Sequence, residues 1–246
     1  MGAVKTKKGI GAELQELKRD IVSVKTIDEL VKLDINISEA RIGDRLFSRH
    51  VTHSGKVGGF VENTAKVDKQ AYVGPRATVY ENACVYNGGR VISSARVYGN
   101  AQVHKKAIIQ DNAHAFENSK ILQGSKVCDY SKVYGFSEVK FSLIADHSEV
   151  YDKAVVEHSI LRNYSKVFGK ATVIDGVLTG HAKVFEYSEV FGARISDYSK
   201  IHRTALISGL NLLIRGNSDI TGVISSMNRD LVINNEKVDQ SLINIE

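Results

Sequence analysis

The sequence predicts an all-β chain folded as a three-sided parallel β-helix, with a helical cap at its N-terminal end. Three observations predict it. An aliphatic or alanine residue falls at every sixth position from Val61 to Val139. A small residue stands two places before nearly every one, as Ala95 does before Val97 and Ser131 before Val133. After Val139 the steps run five, six and six in rotation, through Ile144, Val150 and Val156 to Ile207.

Self-similarity at a fixed short period marks a solenoid, and a six-residue period marks a parallel β-helix. Side chains alternate along a strand, so the aliphatic residue and the small one two places earlier point the same way, into the core. The short step recurs at every third unit, which only a three-sided coil explains. Coils therefore hold eighteen residues early and seventeen late. The sides are called A (Val79, Val97, Ala115, Val133), B (Val85, Val103, Ile121, Val139) and C (Val91, Ile109, Val127, Ile144).

Units such as Val97-Tyr98-Gly99-Asn100-Ala101 resemble the V-x-G-x-A repeats of the hexapeptide-repeat (transferase hexapeptide) superfamily, over a stretch from about Val61 to Ile207. The resemblance implies a left-handed β-helix and, often, a trimer. It implies no single activity, because that superfamily holds acyltransferases, γ-type carbonic anhydrases and non-catalytic scaffold subunits.

The chain divides in order. Residues 1–36 hold a basic tail (Lys5, Lys7, Lys8) and a helical cap or partner segment. Within them, residues 11–33 read as helix, with Leu14, Leu17, Ile21 and Val24 on one face. Thr26-Ile27-Asp28-Glu29 fits a capping box that starts a second short helix carrying Leu30 and Leu33. Residues 37–60 lead into register through Ile42, Val51 and Val57. Residues 61–224 form the β-helix, and residues 225–246 a C-terminal cap in which 231–238 read as strand, turn and strand. A solenoid leaves apolar core and unpaired strand edges at its ends, which caps must cover.

Composition sets bounds. Of 246 residues, 43% are hydrophobic and 25% charged, the balance of a soluble globular chain. No apolar run approaches the ~20 residues of a membrane span, and no signal-peptide core follows the start. Cys84 and Cys128 point outward from different sides, so no disulfide is expected and a reducing cytoplasm fits. The net charge of +5 reads as solubility or as attraction to an anionic partner.

The core is generic, so function belongs to outward positions. On side A the residue after each core aliphatic is Tyr80, Tyr98, Phe116, Tyr134, Tyr151, Phe168, Phe185 and His202. With coils about 4.8 Å apart these rings form a ladder. The residue before is mostly basic: Thr78, Arg96, His114, Lys132, Glu149, Lys166, Lys183, Lys200. The corner leading into side A carries Tyr130, His147, Tyr164, His181 and Tyr198. Three readings compete. The rings can simply stack and hold the coils together. They can form a protein interface, where aromatic residues and Arg carry binding energy. They can bind single-stranded nucleic acid, although base steps exceed the coil rise and Glu149 interrupts the basic line. Side C carries outward aliphatics, Ile92, Ile108, Leu143, Ile160 and Val177, which predict cover by residues 11–33 or by a second copy in a dimer or trimer.

For catalysis, the resemblance implies a histidine general base in a cleft between subunits. Of His50, His53, His104, His114, His147, His158, His181 and His202, the candidates are His104 and His114, which project from flat sides in mid-prism. No ejected loop breaks the repeat between Val61 and Ile207. A three-histidine zinc site is not expected, because His147 and His181 lie two coils apart, about 10 Å, too far to share one ion. P-loop, GxGxxG and GxSxG motifs are absent, and no cofactor or metal is expected. The sequence thus predicts a non-enzymatic solenoid that binds a macromolecular partner, a protein before a nucleic acid, through Tyr80–Phe185 and the cations Arg96, Lys132, Lys166, Lys183 and Lys200. The alternative is an acyltransferase moving an acyl group from acyl-CoA to a small hydroxyl or amine.

Overall fold

The computed structural model describes residues 21–226, 230–239 and 243–245. Among the described residues three sheets of fourteen, eleven and ten strands run along the chain, parallel throughout except at the N-terminal end of the first. They are sides A, B and C. From Val57–Glu62 onward, successive strands in each sheet are three apart in sequence, so every coil contributes one strand to each side. The chain is the left-handed three-sided β-helix that the hexapeptide repeat predicts.

Register follows the repeat. Val97 lies between Val79 and Ala115, and Val133 pairs with Val150 one short coil later. These inward residues are fully buried, as are Val103, Ile109, Val156 and Leu178. The small inward residues are alanine in early coils and largely serine from Ser119 to Ser165. A buried hydroxyl needs a partner. Ser125 donates to the Leu122 carbonyl at 2.6 Å, and Ser137 to that of Tyr134 at 2.7 Å. Each turns back three residues and ties its own corner.

Corners need left-handed backbone, and polar or glycine residues occupy most of them: Glu117 (φ 56°), Asp129 (φ 60°), Asp152 (φ 58°) and Gly135 (φ 72°). Gly135 has a second reason to be glycine. A Cβ there would stand 2.6 Å from the Asp152 nitrogen in the next coil.

Early B–C corners use two left-handed residues, Asn87-Gly88, Lys105-Lys106 and Gln123-Gly124; later ones use one, Phe141 (φ 48°) or His158 (φ 47°). That lost residue is the short step in the sequence. Beyond Ile207 the coil lengthens again, with Ile195 paired to Ile214 and Ile201 to Ile220.

The ends differ from expectation. Among described residues the N-terminal cap is made of strands, with one helical turn. Val22–Val24 is a strand that pairs in parallel with Glu39–Ile42, so Ile21 and Val24 do not share a helical face. Antiparallel strands Glu39–Ile42, Arg45–Val51 and Val57–Glu62 then extend side A. Sheet pairing overrides the local helical spacing. The rest of the expected first helix, with Leu14 and Leu17, and the basic tail lie outside the described residues. Half of the capping box forms: Ile27–Leu30 is helical and Thr26 Oγ1 accepts from the Glu29 amide, while Glu29 Oε2 accepts from the Lys25 amide, one residue before the cap. Leu30, Ala40, Phe47 and Phe60 form a small second core that closes over Tyr80, with Tyr98 at its margin. Arg49 is buried there, over the Phe60 ring, and its guanidinium donates to five carbonyls, including Leu33, Gly58 and Pro75.

The cap therefore sits on side A, so described residues 21–33 do not cover the side C aliphatics. At the other end, Leu231–Asn234 and Lys237–Val238 are not a hairpin. They pair in parallel on sides C and A, two walls of a further coil.

Candidate functional site: a ring-walled lysine groove

The side A ladder exists as predicted. Tyr80, Tyr98, Phe116, Tyr134, Tyr151, Phe168, Phe185 and His202 stack in one column with centroids 4.8–5.0 Å apart and planes within 4°. It is less exposed than the sequence suggests. Tyr80 is 8% exposed beneath the cap, and the rings from Tyr98 to His202 are half-buried. Burial pushes the Tyr98 and Tyr134 hydroxyls up and takes that of Tyr151 to about 12.

A second ladder stands at the C–A corner. Tyr130, His147, Tyr164, His181 and Tyr198 stack at 4.8–5.2 Å with planes within 7°. These rings stand clear of the prism; Tyr198 is 60% exposed. Tyr164 lies between His147 and His181, which separates the two imidazoles.

Chain alternation sets the outward cations between the ladders. In Tyr130-Ser131-Lys132-Val133-Tyr134 the serine and valine point in, so Lys132 stands between two rings. Tyr164-Ser165-Lys166-Val167-Phe168, His181-Ala182-Lys183-Val184-Phe185 and Tyr198-Ser199-Lys200-Ile201-His202 repeat the arrangement. Two recesses of about 450 Å³ each lie along this line, one lined by His114, Tyr130, Lys132, His147, Tyr164 and Lys166, the other by His181, Lys183, Tyr198, Lys200 and Asp219. Glu149 is paired with Lys166 at 2.9 Å, and Asp219 with His202 at 2.6 Å, so the line remains net positive. Arg96 belongs to the cap end instead, where it pairs with Asp28.

This geometry bears on the ligand class. Every inner ring has both faces against other rings and offers only its edge. Nucleobases need ring faces. Extended polypeptide needs edge contacts, hydrogen-bonding hydroxyls and cations, which this groove supplies.

The two candidate histidines differ. His114 lines the groove edge-on to Tyr98, at 6.0 Å between centroids. Burial, with Arg96 and Lys132 beside it, holds its imidazole below the ordinary value. His104 is on side B, stacked on Tyr86 at 4.7 Å, with its Nδ1 buried and unpartnered. Burial and Lys105 push it down too. They lie on different sides and do not form a dyad.

One group of metal-ligand types stands among the described residues, Asp111, Cys128 and Asp129. Its atoms already have structural tasks. Asp129 Oδ2 accepts from the Asp146 amide at 3.1 Å and from the Cys128 thiol at 3.2 Å, and that backbone bond holds the Asp129 carboxyl below its ordinary value. Burial takes the Cys128 thiol up to about 12, far from a thiolate. Cys84 and Cys128 are both free.

Of the side C aliphatics, Ile92, Ile108, Leu143 and Val177 are half-buried and Ile160 is exposed. Leu143 and Ile160 line a separate recess at the B–C corner. The exposed corner ladder is visible in the sequence as a Tyr/His column, but only the fold shows that its rings and the lysines beside them line two recesses.

No protein-family model matches the chain, and no curated protein sequence matches it. Among solved structures, the chain is similar to the UDP-N-acetylglucosamine O-acyltransferase LpxA of Moraxella catarrhalis RH4, at 14% identity and a TM-score of 0.35, over 68% of this chain and 71% of that one. A likeness at that level speaks to neither activity nor substrate.

Proposed function

We propose that this chain is a non-catalytic binding solenoid that holds an extended, acidic segment of a protein partner along the groove between its two ring ladders. The observation that supports this reading is the line Lys132, Lys166, Lys183, Lys200, which alternation along the chain sets between Tyr130–Tyr198 and Tyr134–His202 and which lines two recesses with the Tyr130–Tyr198 rings. Rings that are locked by stacking give contact area with little further loss of side-chain entropy, and cations steer an acidic segment in. An extended segment takes one contact set per coil. The test is capture of the native partner by the wild type and by Tyr130→Ser/Tyr164→Ser/Tyr198→Ser, whose side chains lie outside the core. Loss of the partner from a folded variant supports the reading; undiminished capture refutes it.

A second reading, acyl transfer from acyl-CoA to a small hydroxyl or amine, is favoured by His114. Its imidazole stands beside the groove, and burial with Arg96 and Lys132 beside it favours the neutral form that a general base requires. Titration with acetyl-CoA separates the two. Saturable binding that needs His114 or His104 favours transfer; no binding, with capture intact, favours the scaffold. Pairing of copies through Ile92, Ile108, Leu143, Ile160 and Val177 is a separate proposal, checked by mass in solution.

A further inference from the structure

A further recess lies away from the groove. It opens at the B–C corner, with a volume of about 890 Å³, where eighteen-residue coils give way to seventeen-residue coils. Its origin is geometric. Leu122 pairs with Lys140 and Lys126 with Leu143, so three residues turn the upper corner and two turn the lower one. Gln123 and Gly124 overhang Phe141, and a ledge results.

Three features of the ledge point to one chemistry. First, a ring column begins there. Phe141 stacks on His158 at 4.7 Å with planes 6° apart, and the coil above offers Gln123 and Gly124, not a ring, at that corner. A Cβ built on Gly124 meets nothing within 4 Å. Phe141 is thus the first ring of its column, with His158 on one face and no ring on the other, and it is 51% exposed. Second, the floor is apolar, Leu143 and Ile160. Third, the rim carries Lys105, Lys106 and Lys126, and none of the three forms an ion pair among the described residues. The residues that line the recess include no carboxylate.

We propose that this ledge is a second binding site, for a planar aromatic ring that carries an anionic group. The ring takes the missing rung on Phe141, at the stacking distance that the chain's own rings use, and its edge rests on Leu143 and Ile160. The anion meets Lys105, Lys106 or Lys126. Aromatic pairs of this kind contribute about 0.5–1.5 kcal/mol beyond area burial. Two sources share the chemistry, an aryl carboxylate and a nucleoside monophosphate. The site does not depend on the groove, because it lies at another corner and shares no residue with it.

The experiment uses the full chain and two probes, 2-naphthoate, read by its own fluorescence against a protein with no tryptophan, and adenosine 5′-monophosphate, read by calorimetry. Ribose 5-phosphate, which has the anion without the ring, is the control. The expected result is one-to-one saturation by at least one aromatic probe, at least tenfold weaker in Phe141→Leu and in Lys105→Glu/Lys106→Glu, with no saturation by ribose 5-phosphate. The probe that saturates identifies the source. All three substituted side chains are exposed, and an unchanged melting curve shows that each variant is folded. The mass in solution is measured alongside. Binding that ignores both variants, equal binding of ribose 5-phosphate, or exclusion of both probes because a second copy covers the ledge would each overturn the proposal.

Discussion

Replacing Phe168 with alanine separates what the side A ladder does for the fold from what it does for a partner. Phe168 lies between Tyr151 at 4.8 Å and Phe185 at 4.9 Å, both planes within 3° of its own. Its removal deletes two stacks, each contributing about 0.5–1.5 kcal/mol beyond burial, so about 1–3 kcal/mol. The ring is half-buried, and the lost apolar area adds about 1 kcal/mol. The total is about 2–4 kcal/mol, a fall in melting midpoint of roughly 5–15 °C for a chain of this size. Because coils touch only their neighbours, the damage is local. The amides of Tyr151 and Phe168, which bond the Val167 and Val184 carbonyls at 3.1 and 3.0 Å, should lose hydrogen-exchange protection before distant coils do. Phe168→Leu keeps most of the area and loses the stacks, so it should fall between. Tyr164→Ala, on the exposed corner ladder, should cost less than Phe168→Ala and weaken partner capture more. A Phe168→Ala change below about 0.5 kcal/mol, within the range of an ordinary surface substitution, would refute the structural role of the ladder.

Three further outcomes follow from single residues. Val133→Asp places an unpaired carboxylate in a fully buried column and should cost more than about 4 kcal/mol, seen as loss of the folded signal on gel filtration and circular dichroism. Gly135→Ala should cost well over the ~1–2 kcal/mol of left-handed strain, because its Cβ meets the Asp152 backbone, whereas Gly124→Ala should cost the strain alone; urea midpoints compare them. The fold holds the His114 imidazole below its ordinary value of 6.5, so as pH falls through that value the unfolded chain takes the proton first. His114 should therefore make stability decline with acidification, until the folded protein protonates too. His114→Asn should flatten that part of the curve.

The solenoid was legible because its signal repeats. Valines at every sixth position and one short step in three are enough to specify a triangular coil. The N-terminal cap was not legible, since Val22–Val24 finds its partner at Ala40–Ile42, a contact with no period. Ile21 and Val24 also fall at helical spacing with Leu14 and Leu17, so the wrong period was the visible one. The ring ladders were legible as columns, but their burial was not. Tyr80 is covered by Leu30, Phe47 and Phe60, whose packing is invisible in the repeat. The step from six to five residues at Phe141 was visible too. That it leaves a ledge under Gly124 follows only from the register of Leu122 with Lys140.

The central claim is that the lysine groove is the working surface. The most direct measurement is lysine footprinting by acetylation and mass spectrometry, on the chain alone and with its captured partner. Protection of Lys166, Lys183 and Lys200, with Lys105 and Lys106 as reactive as in the free chain, is the predicted result. Unchanged reactivity along the groove, or protection confined to other faces, would contradict it.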